Sequence, residues 1–427
     1  MHNKDGKYAW RPQQIIHPVI YVALVNAITE PEGWDLVRSK FSEFAQDPRI
    51  ECVSLPVESN NEQKDKAAQV FSWWQAMEQR SIDLSLDYSF VLNTDVADCY
   101  GSIYTHSIAW ALHGKELAKS KEGRHDKMLL GNQLDFLIRS CMHNQTNGIP
   151  QGSNSMNLIA EIILGYADTQ LSKAISQVGV SDFKILRYRD DYRIFTNSSS
   201  DAETIARLLT DVLRDLGMKL SVDKTSASRE IIQSSVKEDK LFWIGKEKKK
   251  KSLVKHMLLI HELAKAHPNS GSIAVALSKF QKRIHKLKET DESIHSIVAA
   301  LTDVALENPR IYPLYAAILS KLLSLTTFDE SEELLGRILK KFERVPYSGH
   351  LHIWLNRFVA PMGLSDDFNE PLCLALHDRE LQIWNSDWLP SDFQPLLAAH
   401  QFVDRDAFDN LKSVIKPKEV QLFGYQG

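Results

Sequence analysis

"LRYRDDYRIF", residues 186–195, is the stretch on which the reading of this chain turns. Its flanks, FKILRY and YRIF, are rich in aromatic and branched residues that favour strands, so the run predicts two strands joined by a tight turn with Asp190 and Asp191 at the tip. Two adjacent carboxylates repel each other and require a compensating cation. Arg187, Arg189 and Arg193 would supply it in an ordinary polar turn, where Asp is favoured for backbone reasons. A bound metal ion is the other source.

The flanking segments bear on that choice. Upstream, SFVLNTD is a short apolar strand ending in Asp95, and SIYTHSIAWALHG runs at helical period to a Gly stop. NGIPQG is a turn feeding a long amphipathic helix, and after the hairpin DAETIARLLTDVLRDLGMKLSVDKT reads as a capped helix, a Gly stop and a strand. LFWIG reads as a further aromatic strand. This order predicts an α+β sheet with helices on one face. Neighbouring strands would bring Asp95, Asp190 and Asp191 to one sheet edge. Such a carboxylate group suits Mg²⁺, a hard cation that takes oxygen ligands. Two such ions ~3.5–4 Å apart stabilise both the attacking and the leaving oxygen of a phosphoryl displacement.

With 427 residues, 43% of them hydrophobic, the chain is long enough for two or more domains. Cys52, Cys99, Cys141 and Cys373 are scattered without a CxxC pair, which speaks against a disulfide framework or zinc site and for a reducing, cytoplasmic setting. The opening MHNKDGKYAW lacks a signal-peptide core, and no apolar run reaches the ~20 residues of a membrane span. The net charge of -4 conceals a sorted distribution, because 246–288 holds 12 Lys or Arg against Glu247 and Glu262, while 289–427 is acidic. A basic block of this kind marks a polyanion partner, although a solvated face explains KEKKKK equally well. The acidic remainder reads as paired helices of solenoid type without a clean period.

VLNTDVADCYGSIYTH, GIPQGSNSMN, YRDD, LGMKLSVDKT and LFWIG stand in the order of reverse transcriptase motifs A to E, and the chain resembles that family over these roughly 150 residues. More narrowly, WRPQQIIHPVIYVALVNAITE and VPYSGHLHIWLNRF resemble the bacterial defence-associated, abortive-infection group. The resemblance implies an α+β right-hand polymerase followed by an all-α, repeat-like domain. Its expected parts are an N-terminal extension and fingers (1–90), a palm (91–245, with part of 101–150 inserted as fingers helices), a basic thumb (246–290) and a helical domain (291–427). It also implies metal-binding roles for Asp95, Asp190, Asp191 and the Val96 carbonyl, with two Mg²⁺ ions and Mn²⁺ as a substitute.

Carried over residue by residue, Tyr100 matches the aromatic under the sugar, where a ring excludes a 2′-hydroxyl. Asp98 shares its loop. Gln151 and Gly152 match the turn that the incoming nucleotide and template approach, glycine removing an obstructing side chain. Lys224 and Lys219 are rival contacts for the leaving phosphate, and Lys64, Lys66 and Arg80 are candidates for the triphosphate. Trp243 and Gly245 match the primer grip, and Lys279, Lys282, Arg283 and Lys286 sit where a thumb would track phosphates. Arg189 departs from the small residue that the family's hairpin often carries. The activity implied is DNA synthesis from dNTPs on a partner non-coding RNA in antiphage defence, by a homo-oligomer or with a second defence protein. Protein-primed or untemplated synthesis, a ribonucleotide polymerase and a non-catalytic nucleic-acid-binding scaffold are the competing readings.

Overall fold

The computed structural model describes residues 2–11, 14–55, 73, 76–246, 252–289, 293–364, 368–376, 381, 383–393, 395 and 403–421. Lys64, Lys66, Glu247 and the lysine run 248–251 lie outside the described residues. The protein divides into two compact units, one drawn from residues 14–236 and the other from 237–421 with 2–11.

The first unit is built on a five-stranded sheet of order β3-β5-β6-β4-β7. Its strands are β3 (Ile50–Cys52), β4 (Phe90–Asp95), β5 (Phe183–Tyr188), β6 (Asp191–Thr196) and β7 (Ser226–Ser228). Only β3 runs parallel to its neighbour, β5; the other pairs are antiparallel. The sequence expectation of a hairpin holds: Tyr188 pairs with Asp191, leaving a two-residue loop, Arg189 and Asp190. Among the helices that accompany the sheet are α1 (Pro18–Thr29), α2 (Pro31–Phe44), α3 (Cys99–Ser102), α4 (Ser107–His113), α5 (Leu130–Ser140), α6 (Asn154–Val178) and α7 (Ser199–Asp215). Ser153 and Ser198 accept backbone N–H groups at the starts of α6 and α7, as N-cap side chains do.

Strand alternation sorts the core. Leu92, Ile185, Tyr192 and Ile194 pack with the helices, whereas Val91, Leu186, Tyr188 and Phe195 meet Met77, Leu84 and Ile231 on the other face. The sheet is therefore covered on both faces rather than one, because the second set of positions is apolar too. The strand expected after Gly217 is broken up as well. It becomes a bridge from Leu220 to Val96, a 3₁₀ turn at Val222–Lys224 and the short β7.

The second unit is helical: α8 (Glu238–Lys246), α9 (Leu253–Ala266), α10 (Gly271–Ile284), α11 (Ile294–Glu307), α12 (Tyr312–Leu323), α13 (Phe328–Phe342) and α14 (Gly349–Met362). From α9 onward each helix touches the next but one, so three pairs stack in two rows in solenoid fashion around one core. The basic pair α9–α10 shares that core through Leu263, Leu277 and Phe280. A small hairpin of β1 (His2–Asn3) and β2 (Trp10–Arg11), not anticipated from sequence, docks through Asn3 on the carbonyls of Pro346 and Tyr347.

LFWIG is helical, contrary to the strand expectation. Glu238 and Asp239 in the first turn favour a helix start, and Asp239 and Trp243, four residues apart, both turn inward. Trp243 is a core residue, only 5% exposed, so the primer-grip expectation for Trp243 and Gly245 loses both its strand and its exposed ring.

Candidate active site

Asp95 closes β4 and Asp191 opens β6, and the two are directly opposite in the antiparallel register. Opposite residues share a face with Cβ atoms ~4.5–5.5 Å apart, and like charges so placed destabilise a sheet. Asp190, in the loop between, is tied to the same strand end by its carbonyl, which accepts the Val96 N–H at 3.0 Å. Burial, and after it the Asp95 charge, raises the Asp190 pKa. The three carboxylates are thus gathered at one sheet edge at an electrostatic cost.

A cation already answers part of that cost. The Lys224 ammonium lies 2.7 Å from Asp95 Oδ2, brought there by the 3₁₀ turn. Around it, Ser221 N–H donates to the Asp95 carbonyl at 2.7 Å and Ala97 N–H to the Lys219 carbonyl at 2.8 Å. Of the two rival lysines the fold brings the Lys224 side chain to the site, while Lys219 contributes its backbone carbonyl and has an exposed side chain. Among the described residues no three His, Cys, Asp or Glu side chains converge as a ready-made metal cluster. The donor set is nonetheless all carboxylate oxygen, crowded and cation-seeking, which fits a hard divalent ion. Asp95, Asp190 and Asp191 would hold it, with Val96 buried beside them.

The loop after Asp95 and the turn before α6 are stitched together. Ile149 N–H donates to the Tyr100 carbonyl and Gly148 N–H to the Ile103 carbonyl, both at 2.7 Å. Tyr100 Oη donates to Asn157 Oδ1 on α6 at 2.7 Å, which fixes its ring, and burial raises its pKa. Asp98 is exposed, in the left-handed region at φ 44°, with its carboxylate packed against Gly101. Gln151 and Gly152 form an exposed turn, with Gly152 at φ 126° and open space where a Cβ would stand. Arg80 is engaged away from the carboxylates, with Asp83 and with Glu51 at 3.5 Å.

The chain matches the family model described as reverse transcriptase (RNA-dependent DNA polymerase) over residues 42–253. The chain carries a reverse transcriptase domain. That match spans the sheet and all three aspartates, so the carboxylate edge lies within the reverse transcriptase domain. No curated protein matches the sequence. Among solved structures it is similar to telomerase from Candida albicans in complex with a TWJ fragment of telomeric RNA. That similarity has 13% identity over 74% of this chain and 58% of that one, with a TM-score of 0.32. Apo telomerase from Candida tropicalis gives 10% identity over 78% and 61%, also at 0.32. The chain thus spans about three fifths of the length of these telomerases.

Within the reverse transcriptase domain the arginines of the hairpin make their hydrogen bonds elsewhere, although the charges of Arg189 and Arg193 still act on Asp190 and Asp191. Arg187 faces α6 and bonds Glu161 and Asp168, each at 2.7 Å, while Arg193 donates to Ser81 Oγ at 2.8 Å and the Ser235 carbonyl at 3.2 Å. Arg189 turns its guanidinium over the rings of Trp73 and Tyr188. Glu161, Asp168, Ser54 and Asn157 were missed from sequence. Their signal was faint: two carboxylates seven apart in an otherwise apolar helix, and one Arg at an inward position of an apolar strand. In the second unit Lys282 on α10 and Lys286 just beyond its end are exposed, and Lys279 and Arg283 on α10 are half-buried, Arg283 bonding His256 at 2.8 Å. Among the described residues no helix is long and apolar enough to cross a membrane.

Proposed function

We propose that the protein is a reverse transcriptase that extends a primer hydroxyl with deoxynucleotides on an RNA template. The observation that carries this is the register pairing of Asp95 with Asp191, with Asp190 anchored to Val96, inside a reverse transcriptase domain. When bound, two Mg²⁺ ions (or Mn²⁺) supply charge stabilisation to the phosphoryl group in transfer. Asp95, Asp190 and Asp191 would hold the ions, and alignment is the protein's main contribution. Tyr100, braced by Asn157, lies under the sugar and excludes a 2′-hydroxyl; the Gln151–Gly152 turn receives the base and template. Lys224, released from Asp95, faces the leaving phosphate. Lys279, Lys282 and Arg283 on α10, with Lys286 just after it, follow the phosphates of the template–product duplex as a thumb, sequence-independently.

The resemblance of WRPQQIIHPVIYVALVNAITE and VPYSGHLHIWLNRF to abortive-infection enzymes supports a role in antiphage defence on a partner non-coding RNA, in the cytoplasm, with assembly through the helical unit. Protein-primed synthesis is the second reading, favoured by the same resemblance. Purified protein with its bound nucleic acid, given Mg²⁺ and labelled dNTPs or NTPs, incorporates dNTPs only, and the Asp190→Ala/Asp191→Ala variant incorporates none. Sequencing the product identifies the template, and a DNA chain covalently attached to protein identifies protein priming. Tight RNA binding without synthesis under any condition would return the scaffold reading. Phage plaque counts on cells expressing wild type or the variant test the defence role.

A further inference from the structure

Arg187 carries its charge inside the core, with its side chain 1% exposed. Strand alternation turns Phe183, Ile185 and Arg187 toward α6, and Glu161 and Asp168, seven apart, lie on one face of that helix. Burial opposes the guanidinium charge, but the two carboxylates hold it protonated, and Tyr192 Oη donates to Asp168 at 3.2 Å. A buried ionic group is a poor source of net stability, so the question is what geometry it fixes.

It fixes the residue before the catalytic pair. Arg189 stands in the left-handed region at φ 51°, where a side chain costs conformational energy unless the surroundings enforce it. Both of its backbone polar groups are held. Its N–H donates to Ser54 Oγ at 2.8 Å, and Ser54 in turn donates to Glu161 Oε1 at 2.7 Å. Its carbonyl accepts Arg187 Nη1 at 3.1 Å. The next residue is Asp190.

We infer that Arg187 and Ser54 are positioning residues: with Glu161 and Asp168 they clamp the backbone of Arg189 and so set where Asp190 and Asp191 stand relative to α6, the helix that begins at the Gln151–Gly152 turn. This rests on the polymerase reading of the three aspartates. The clamp touches neither nucleotide nor metal ligand and acts through one strained peptide. A positional error of about an ångström lowers turnover by roughly a hundredfold.

The test is primer extension with Ser54→Ala, which removes the acceptor of the Arg189 N–H and leaves the Arg187 ion pairs in place. The clamp predicts a folded variant with kcat roughly 10- to 100-fold lower and dNTP KM within about twofold, the pattern of misalignment. Ser54→Thr keeps the hydroxyl and restores kcat. In the Arg189→Gly background, where glycine takes a positive φ unaided, the Ser54→Ala change lowers kcat about threefold or less. Ser54→Cys, close in size with a weakly accepting sulfur, gives the same comparison if the alanine variant does not fold. Wild-type kcat in folded Ser54→Ala, or an equal loss in both Arg189 backgrounds, overturns the clamp while abolished synthesis in Asp190→Ala/Asp191→Ala leaves the site reading standing. Retained synthesis in that double variant overturns the site reading and the clamp with it.

Discussion

Lys224 sets its ammonium 2.7 Å from the Asp95 carboxylate, 129 residues away in sequence, at the strand end where Asp191 stands opposite. A divalent ion and Lys224 compete for the same oxygen. Lys224 is largely exposed, so the pair is worth at most ~1 kcal/mol. Lys224→Met therefore tightens Mn²⁺ binding by up to about fivefold in an electron paramagnetic resonance titration, the difference shrinking at high salt. The same variant lowers kcat if Lys224 serves the leaving phosphate.

Tyr100 is held by Asn157 at 2.7 Å. Tyr100→Ala should reduce the preference for dNTPs over NTPs by roughly 10- to 200-fold, measured as the ratio of kcat/KM values. Asn157→Ala, which leaves the ring but frees it, gives a smaller loss. Unchanged discrimination in both would remove Tyr100 from the sugar site.

Gly148 and Gly152 take positive φ for different reasons. At Gly152 (φ 126°) a Cβ meets nothing, so Gly152→Ala carries backbone strain alone, ~1–3 kcal/mol. At Gly148 (φ 87°) the Cβ would stand 3.0 Å from the Gly101 carbonyl oxygen, adding a clash that pulls the turn away from the Tyr100 loop. Thermal denaturation is expected to rank Gly148→Ala below Gly152→Ala.

In the helical unit, His350 accepts the Trp354 indole N–H at 3.2 Å, and burial, followed by the neighbouring His2, lowers its pKa to about 4. An unfolded histidine protonates near 6.5, so between those values the unfolded chain binds the extra proton and stability falls as pH falls. The loss is complete by about pH 4 and at most ~3 kcal/mol. His350→Gln should flatten the urea-denaturation stability of this unit between pH 6.5 and 4.

Exposed Lys282 and Lys286 give a nucleic-acid prediction. If α10 tracks phosphates, Lys282→Glu/Lys286→Glu weakens RNA binding uniformly across sequences. The slope of log affinity against log salt should fall by about one for each phosphate that α10 no longer neutralises. An unchanged slope would take α10 out of the thumb role.

The strands and helices of the first unit were legible because their signals are local. Alternating apolar residues wrote β4, β5 and β6, Ser153 and Ser198 capped their helices, and a two-residue loop between aromatic strands fixed the hairpin register. The LFWIG segment misled because five apolar residues carry no period long enough to separate strand from buried helix. What set it was Asp239, which turns inward on the same helix face and accepts the Ser272 N–H at 3.3 Å.

By itself the sequence placed Asp95 at the end of one strand and Asp190 and Asp191 at the tip of a hairpin, since strand ends and tight turns are properties of neighbouring residues; the pairing of β4 with β6 that sets Asp95 opposite Asp191 joins residues far apart in the chain. Only the tertiary structure decided which cations answer these carboxylates. It assigned Lys224 rather than Lys219 to Asp95, and it paired Arg187 with Glu161 and Asp168. Those pairings join residues 19 to 129 positions apart. A charge reaches its partner through the packing of strand against helix, and that distance is fixed by the folded chain, not by the spacing of residues along it.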